Sequence, residues 1–333
     1  MDSRYINPGS EGVKVVKTIS RTHATPQGAQ PEVRRMADSS QYLNCPKKLR
    51  ENLEVDGYLF LRNVTDTAVL ASVRAQMLAQ VFKRDGDLVP YASDKPLGRF
   101  EGFYTVLEEL GQNLFNEVGR LDSLAKIFSE LFEGQSKSLD FVWPRVAGVG
   151  RATSPHCDWV YLSRGSKQIL SAWVPVMDIP IAKGPLMVLP RSHKNNPHTT
   201  RYLKKDADKL GFLNGLRIKH GQVVVGGNYS RSPIRVEKVA NSHWLSEDFK
   251  VGDVVIFKPT TVHASLPNTV DLRLSIDLRY QPAEDEVDPR FSGPNLSLHE
   301  KRDRSLFDAI NHLKRSLMRD GIGFSTERRR GAS

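Results

Sequence analysis

From about residue 139 the chain is written in short runs rich in Val, Ile, Leu, Trp and Phe, cut at close intervals by clusters of Gly, Pro, Asn, Asp and Ser. This feature restricts its fold more than any other. The runs cover 141–149, 169–177, 186–189, 222–225, 254–257 and 272–280. Each is long enough for a strand and too short for a helix of ordinary length, and the punctuating residues are those that tight turns need. Strands spaced in this way predict a mainly β protein with flanking helices, and a jelly-roll (double-stranded β-helix) core over 139–282.

Ahead of that core, residues 57–62 read as a strand, followed by Thr65 as the N-cap of a helix with Val69, Val73, Met77 and Val81 at helical spacing. A second helical stretch over 103–132, interrupted near Gly119, carries an apolar stripe of Leu107, Leu110, Leu114, Val118, Leu124, Ile127 and Leu131. Together these form a helical support over 46–138. Residues 1–45 are polar, without a steady period, and are expected to be a poorly ordered arm. Residues 191–250 break the strand pattern with Lys, Arg, Asn and Gly and read as a lid-like insertion. An amphipathic helix is expected at 305–318 and a basic tail at 326–333, so that 46–325 form one domain.

The 333 residues suffice for a real hydrophobic core. Two cysteines, Cys45 and Cys157, support neither a disulfide framework nor a Cys-rich zinc site, which favours a reducing, cytoplasmic compartment. Nowhere do 18 consecutive apolar residues occur, and the first 30 residues lack an apolar segment, so neither a membrane span nor a secretory signal is expected. A formal charge of +10 favours anionic partners, although much of the excess lies near the chain ends. No aromatic residues interleave the terminal basic run as nucleic-acid stacking would require, so nucleic acid is not the expected partner.

Nine histidines are present, and the sequence His156-Cys157-Asp158 is the informative one. In an extended segment residues i and i+2 project to the same side, so an imidazole and a carboxylate converge while Cys157 points away. His263 follows the strand 254–257 after a short turn, at the end of a strand facing the same cavity. Two histidines and one carboxylate are the facial set that holds non-haem Fe(II) and leaves positions open. Ten residues beyond His263 comes Arg273, with Ser275 on the same strand face. They offer a planar fork and a hydroxyl for the far carboxylate of a bidentate co-substrate, with Arg279 on the same face as a reserve. Arg145 alternates with Trp143 and Phe141 and is a candidate for an acidic substrate group, equally readable as a salt-bridged rim arginine. Trp159 and Tyr161 either wall the pocket or pack. His193, His198, His220 and His243 are weaker candidates within the insertion.

The stretches Ser154-Pro155-His156-Cys157-Asp158-Trp159, Ala172-Trp173-Val174-Pro175, Gly184-Pro185-Leu186 through Ser192-His193 and Val262-His263-Ala264-Ser265, with Arg273-Leu274-Ser275, occur in the order that makes the chain resemble the phytanoyl-CoA dioxygenase family of Fe(II)- and 2-oxoglutarate-dependent oxygenases. The resemblance implies a cupin-like core, iron held by His156, Asp158 and His263, 2-oxoglutarate held by Arg273 and Ser275, and a co-substrate pocket lined by Trp173 and Ser265. It also implies a reaction: O2 and 2-oxoglutarate are consumed, a C–H bond of a small molecule is oxidised, and succinate and CO2 leave. In place of the glycine usual in the family, this chain has Arg191 before Ser192. An anionic substrate is expected from the basic insertion. Two other readings stand beside this one: a jelly-roll protein that keeps its metal without catalysis, and an oxygenase acting on nucleic acid.

Overall fold

The computed structural model describes residues 31–84, 104–106, 114, 117–118, 121–194, 197–206, 217–219, 222–224 and 227–291. In chain order the strands are β1 (Val33–Arg35), β2 (Tyr58–Leu61), β3 (Tyr104–Val106), β4 (Ser136–Ser138), β5 (Trp143–Ala147), β6 (Leu170–Pro175), β7 (Leu186–Val188), β8 (Arg217–Lys219), β9 (Gln222–Val224), β10 (Trp244–Ser246), β11 (Val254–Phe257), β12 (His263–Ser265) and β13 (Arg273–Pro282). A seven-stranded sheet runs β2-β11-β6-β13-β5-β3, with β4 also pairing β13, and a four-stranded sheet runs β1-β10-β7-β12. The fold is therefore mainly β with flanking helices.

Period-two alternation decides what lies on each side of the large sheet. Leu59, Leu61, Ala172, Val174, Val254, Ile256, Leu274, Ile276 and Leu278 form one cluster with apolar residues of the helices Pro46–Asp56, Thr67–Arg84 and Asp122–Phe132. Their intervening neighbours Tyr58, Phe60, Trp173, Val255 and Phe257 meet Leu186 and Val188 of the small sheet. Burying each such side chain contributes roughly 1.5–3 kcal/mol, so a one-residue slip of any strand would forfeit several of them at once. Strand β13 obeys the same rule with different chemistry. Its helix-facing residues are apolar, whereas Arg273, Ser275, Asp277, Arg279 and Gln281 are all buried on the opposite face. Five buried polar residues in alternation require partners, and they mark the side of the sheet where a site is built.

Several expectations are corrected. Of the arm read as poorly ordered to residue 45, residues 31–45 are built into the fold: β1 pairs in parallel with β10, and Met36 is buried beside Phe60 and Phe249. A three-residue strand shows no period, which is why the sequence hides it. The stretch 103–132 is not one helical unit, since Tyr104–Val106 forms an edge strand against β5 and the helix begins at Asp122. The preceding helix starts at Thr67, and Asp66 Oδ1, not Thr65, accepts the Ala68 N–H at 2.8 Å. Among the described residues, Gln222–Val224 pairs with Arg217–Lys219 in a separate two-stranded hairpin instead of joining the core sheets. The insertion also ends before 250, because Trp244–Ser246 lies inside the small sheet between β1 and β7. The helix expected at 305–318, the basic tail and residues 1–30 lie outside the described residues. Among the described residues no helix is long and apolar enough to cross a membrane.

Candidate metal centre

After a bend at Pro155, the His156 backbone N–H and C=O pair with the C=O and N–H of His263 at 3.0 and 2.9 Å. This antiparallel bridge sets the two imidazoles side by side, 4.2 Å between ring centroids. The chain then turns helical at Asp158, ahead of the short helix Trp159–Leu162. That turn brings the carboxylate back toward the rings and drives Cys157 into an apolar cluster with Val160, Met187 and Leu189. One nitrogen of each histidine and one oxygen of Asp158 lie within 4.8 Å of one another, and among the described residues no other three His, Cys, Asp or Glu side chains gather so.

The remaining polar atoms of the trio are already engaged. His156 Nδ1 faces the Ser154 carbonyl at 2.8 Å and His263 Nδ1 the Thr261 carbonyl at 3.0 Å. A carbonyl only accepts, so Nδ1 carries the proton in both rings and the Nε2 lone pairs are the ones presented. Asp158 Oδ2 accepts from Ser171 Oγ at 2.6 Å and from Arg279 Nη2 at 2.8 Å, while Oδ1 faces His263 Nε2 at 3.6 Å. Burial pushes the His156 imidazolium down to about 3, with nearby His263 adding to the effect, and burial lowers His263 as well. Both rings are neutral near pH 7. Burial alone would raise the Asp158 carboxyl, but Arg279, the two histidines and the Ser171 hydroxyl together hold it well below the usual carboxylate range. The trio thus presents two neutral nitrogens and one anionic oxygen.

His156, Trp173, His263, Ser265 and Arg273 line one cavity. Arg273 is 2% exposed and its Nη1 donates to the Gly184 carbonyl at 2.6 Å. Ser275, fully buried, lies on the same face of β13, and its hydroxyl has no hydrogen-bond partner among the described residues. Ser265 Oγ accepts the Thr153 N–H at 2.7 Å. Arg145 lines the cavity too, ion-paired with Asp277. Arg279, read as a reserve carboxylate ligand, is instead turned onto Asp158, 2.8 Å from its Oδ2. Tyr161 meets the His156 ring edge-on at 6.4 Å, whereas Trp159 lies under the Lys167 ammonium. His193 Nε2 donates to the Glu54 carbonyl and His243 pairs with Glu237, both apart from the cavity. Sequence reasoning missed Ser171 and Asp277. Asp277 was legible as the next member of the alternation Arg273, Ser275, Asp277, Arg279, whereas Ser171, a lone hydroxyl in an apolar run, left no signal.

1-Deoxypentalenic acid 11-beta-hydroxylase of Streptomyces arenae is 25% identical over 264 residues, covering 73% of this chain and 86% of that protein. The enzyme of the same name from Streptomyces exfoliatus is 24% identical over 262 residues with the same coverage. Among solved structures, the epimerase SnoN, in complex with Fe3+, alpha ketoglutarate and nogalamycin RO, shares the fold with a TM-score of 0.50 at 19% identity, over 76% of this chain and 94% of its own. The non-heme alpha ketoglutarate dependent carbocyclase SnoK has a TM-score of 0.50 at 17% identity, over 80% and 98%. The profile of the phytanoyl-CoA dioxygenase family matches residues 53–272, which is more than half of the chain and contains His156, Asp158 and His263, and the chain belongs to that family.

Proposed function

We propose that His156, Asp158 and His263 hold Fe(II), and that Arg273 and Ser275 hold the far carboxylate of 2-oxoglutarate, in an oxygenase that hydroxylates a C–H bond of a small organic molecule. Iron and 2-oxoglutarate, when bound, supply the oxidation: R–H, O2 and 2-oxoglutarate become R–OH, succinate and CO2. The observation that carries this reading is the convergence of two Nε2 lone pairs and one carboxylate oxygen beside a cavity that also holds a buried arginine. The donor set fits a non-haem iron, since imidazole and carboxylate suit it and three protein ligands leave the remaining positions for small molecules. The unpartnered hydroxyl of Ser275, buried beside Arg273, fits a co-substrate carboxylate, because a buried hydroxyl without a partner is costly until something donates to it or accepts from it.

The protein's own part is binding, orientation and exclusion of water. The Ser154 and Thr261 carbonyls fix both imidazole tautomers. Trp173 and Phe257 close the cavity with apolar surface, and dryness there strengthens each polar contact. The two packed sheets support the reading of the core as a double-stranded β-helix. A carboxylic acid is the substrate class we favour, supported by the acid that the hydroxylase relatives are named for. Two unpaired cysteines support a cytoplasmic setting. The test is a screen of small carboxylic acids for substrate-dependent succinate release with Fe(II) and 2-oxoglutarate. Release that needs the substrate and is lost in His156→Ala, Asp158→Ala and His263→Ala supports the assignment, and full activity in any of the three removes that residue from the set.

A further inference from the structure

A carboxylate can bind a metal through one oxygen or both, and the choice matters where a co-substrate must chelate the same ion. In this chain Asp158 Oδ2 is already committed. Ser171 and Arg279 are directly opposite one another in the register of β6 and β13, on the cavity face, and both donate to that one oxygen. Arg279 is 4% exposed and fixed from several sides: Nη1 donates to the Leu278 carbonyl at 2.9 Å, Nη2 lies 3.7 Å from Asp277 Oδ2, and the guanidinium stacks over the Trp143 ring at 5.0 Å. Asp277 is in turn ion-paired with Arg145. Oδ1, by contrast, faces His263 Nε2. The carboxylate is therefore clamped by the large sheet at one oxygen and open to the metal at the other.

We infer that Arg279 and Ser171 are positioning residues that confine Asp158 to binding the metal through Oδ1 alone, so that the position a second carboxylate oxygen would take stays open for 2-oxoglutarate. This rests on the iron and 2-oxoglutarate reading proposed above. Two charge-assisted donors on one oxygen must both be given up before Oδ2 can turn to the metal, and the rigid strand pair holding them cannot follow the rotation. Neither residue touches the ion. Their action is on the count of open positions, which separates their effect on co-substrate from their effect on the metal.

The experiment compares wild-type protein with Ser171→Ala, Arg279→Met and Arg279→Lys. Mn(II) affinity is measured without co-substrate, and 2-oxoglutarate is then titrated into the anaerobic Fe(II)-loaded protein through the charge-transfer absorption of the chelate. Arg279→Met should weaken 2-oxoglutarate chelation by about tenfold while Mn(II) binding is kept or tightened, and Arg279→Lys, with one charged donor restored, should recover most of the loss. Ser171→Ala should show the same split on a smaller scale, and it carries the test if Arg279→Met fails to fold. Chelation that is unchanged in these variants, or Mn(II) and 2-oxoglutarate affinities that fall together, would overturn the inference. Absence of the chelate absorption in wild-type protein would overturn the iron reading itself, and this inference with it.

Discussion

At Arg273 the charge and the shape of the side chain can be varied separately. Its guanidinium is anchored at one end on the Gly184 carbonyl and lies buried on the face of β13 that carries Ser275. Arg273→Lys keeps the positive charge and loses the paired planar donors, so half-saturation by 2-oxoglutarate should rise about tenfold, equivalent to about 1.4 kcal/mol, with metal binding intact. Succinate release measured against 2-oxoglutarate concentration checks this, and an unchanged half-saturation would take the role away from Arg273. Arg279 cannot replace it, since its guanidinium is occupied by Asp158. The residues on β13 were legible because a ten-residue strand imposes alternation on its sequence. Ser171 was not, since one hydroxyl in an apolar run is as compatible with packing as with anchoring a ligand. Arg191 teaches the converse. Where the family has glycine, this residue adopts φ +64°, the left-handed conformation glycine favours, and its N–H and guanidinium both bond to Asp56. The arginine keeps the turn at a backbone cost of roughly 1–2 kcal/mol, of which its exposed ion pair with Asp56 recovers only a part.

Among the elements, the turn before β7 links the backbone to the chemistry. Gly184 closes the short helix Ile181–Lys183 with φ +68°, its N–H on the Ile181 carbonyl, and its own carbonyl holds Arg273. A side chain here would be strained by the left-handed backbone and would collide with the main chain of Leu266, Pro267 and Asn268, which has no room to retreat. Gly184→Ala should therefore destabilise the protein by about 2 kcal/mol or more and also weaken 2-oxoglutarate binding, as read from urea unfolding and from half-saturation. Loss of stability with unaltered co-substrate affinity would separate the turn from the site. On the helix side of the sheet the expectation is the opposite. Phe128 stacks on Tyr280 with ring centroids 4.1 Å apart, so Phe128→Ala should cost about 3–5 kcal/mol of stability and leave 2-oxoglutarate half-saturation unchanged below its melting range. The helix Thr67–Arg84 and the long strands could be read from the chain because each carries its own period. Strands β1, β10 and β12 have three residues each, too few for a period, and they exist because a neighbour offers backbone partners.

For the molecule as a whole, the proposed ligands join the two sheets. His263 belongs to β12 of the small sheet and His156 is bridged to it, whereas Arg273 belongs to β13 of the large sheet. Asp158 stands between, tied to β6 and β13 through Ser171 and Arg279. A metal at the trio therefore gathers loop and small sheet, and 2-oxoglutarate reaching from that metal to Arg273 would cross-link the small sheet to the large one. Any ligand that binds only the folded state stabilises it, by about 2.7 kcal/mol at a hundred times its dissociation constant. Thermal unfolding should accordingly rise by a few degrees with Mn(II), which supports binding without turnover, and rise again when 2-oxoglutarate is added in excess. The variants divide the two increments. His263→Ala should lose both, because without the metal the co-substrate has lost its chelate anchor. Arg273→Lys should keep the first and lose most of the second. If 2-oxoglutarate alone raised the transition as much as both ligands together, its binding would be independent of the metal, and the proposed cross-link between the sheets would be wrong.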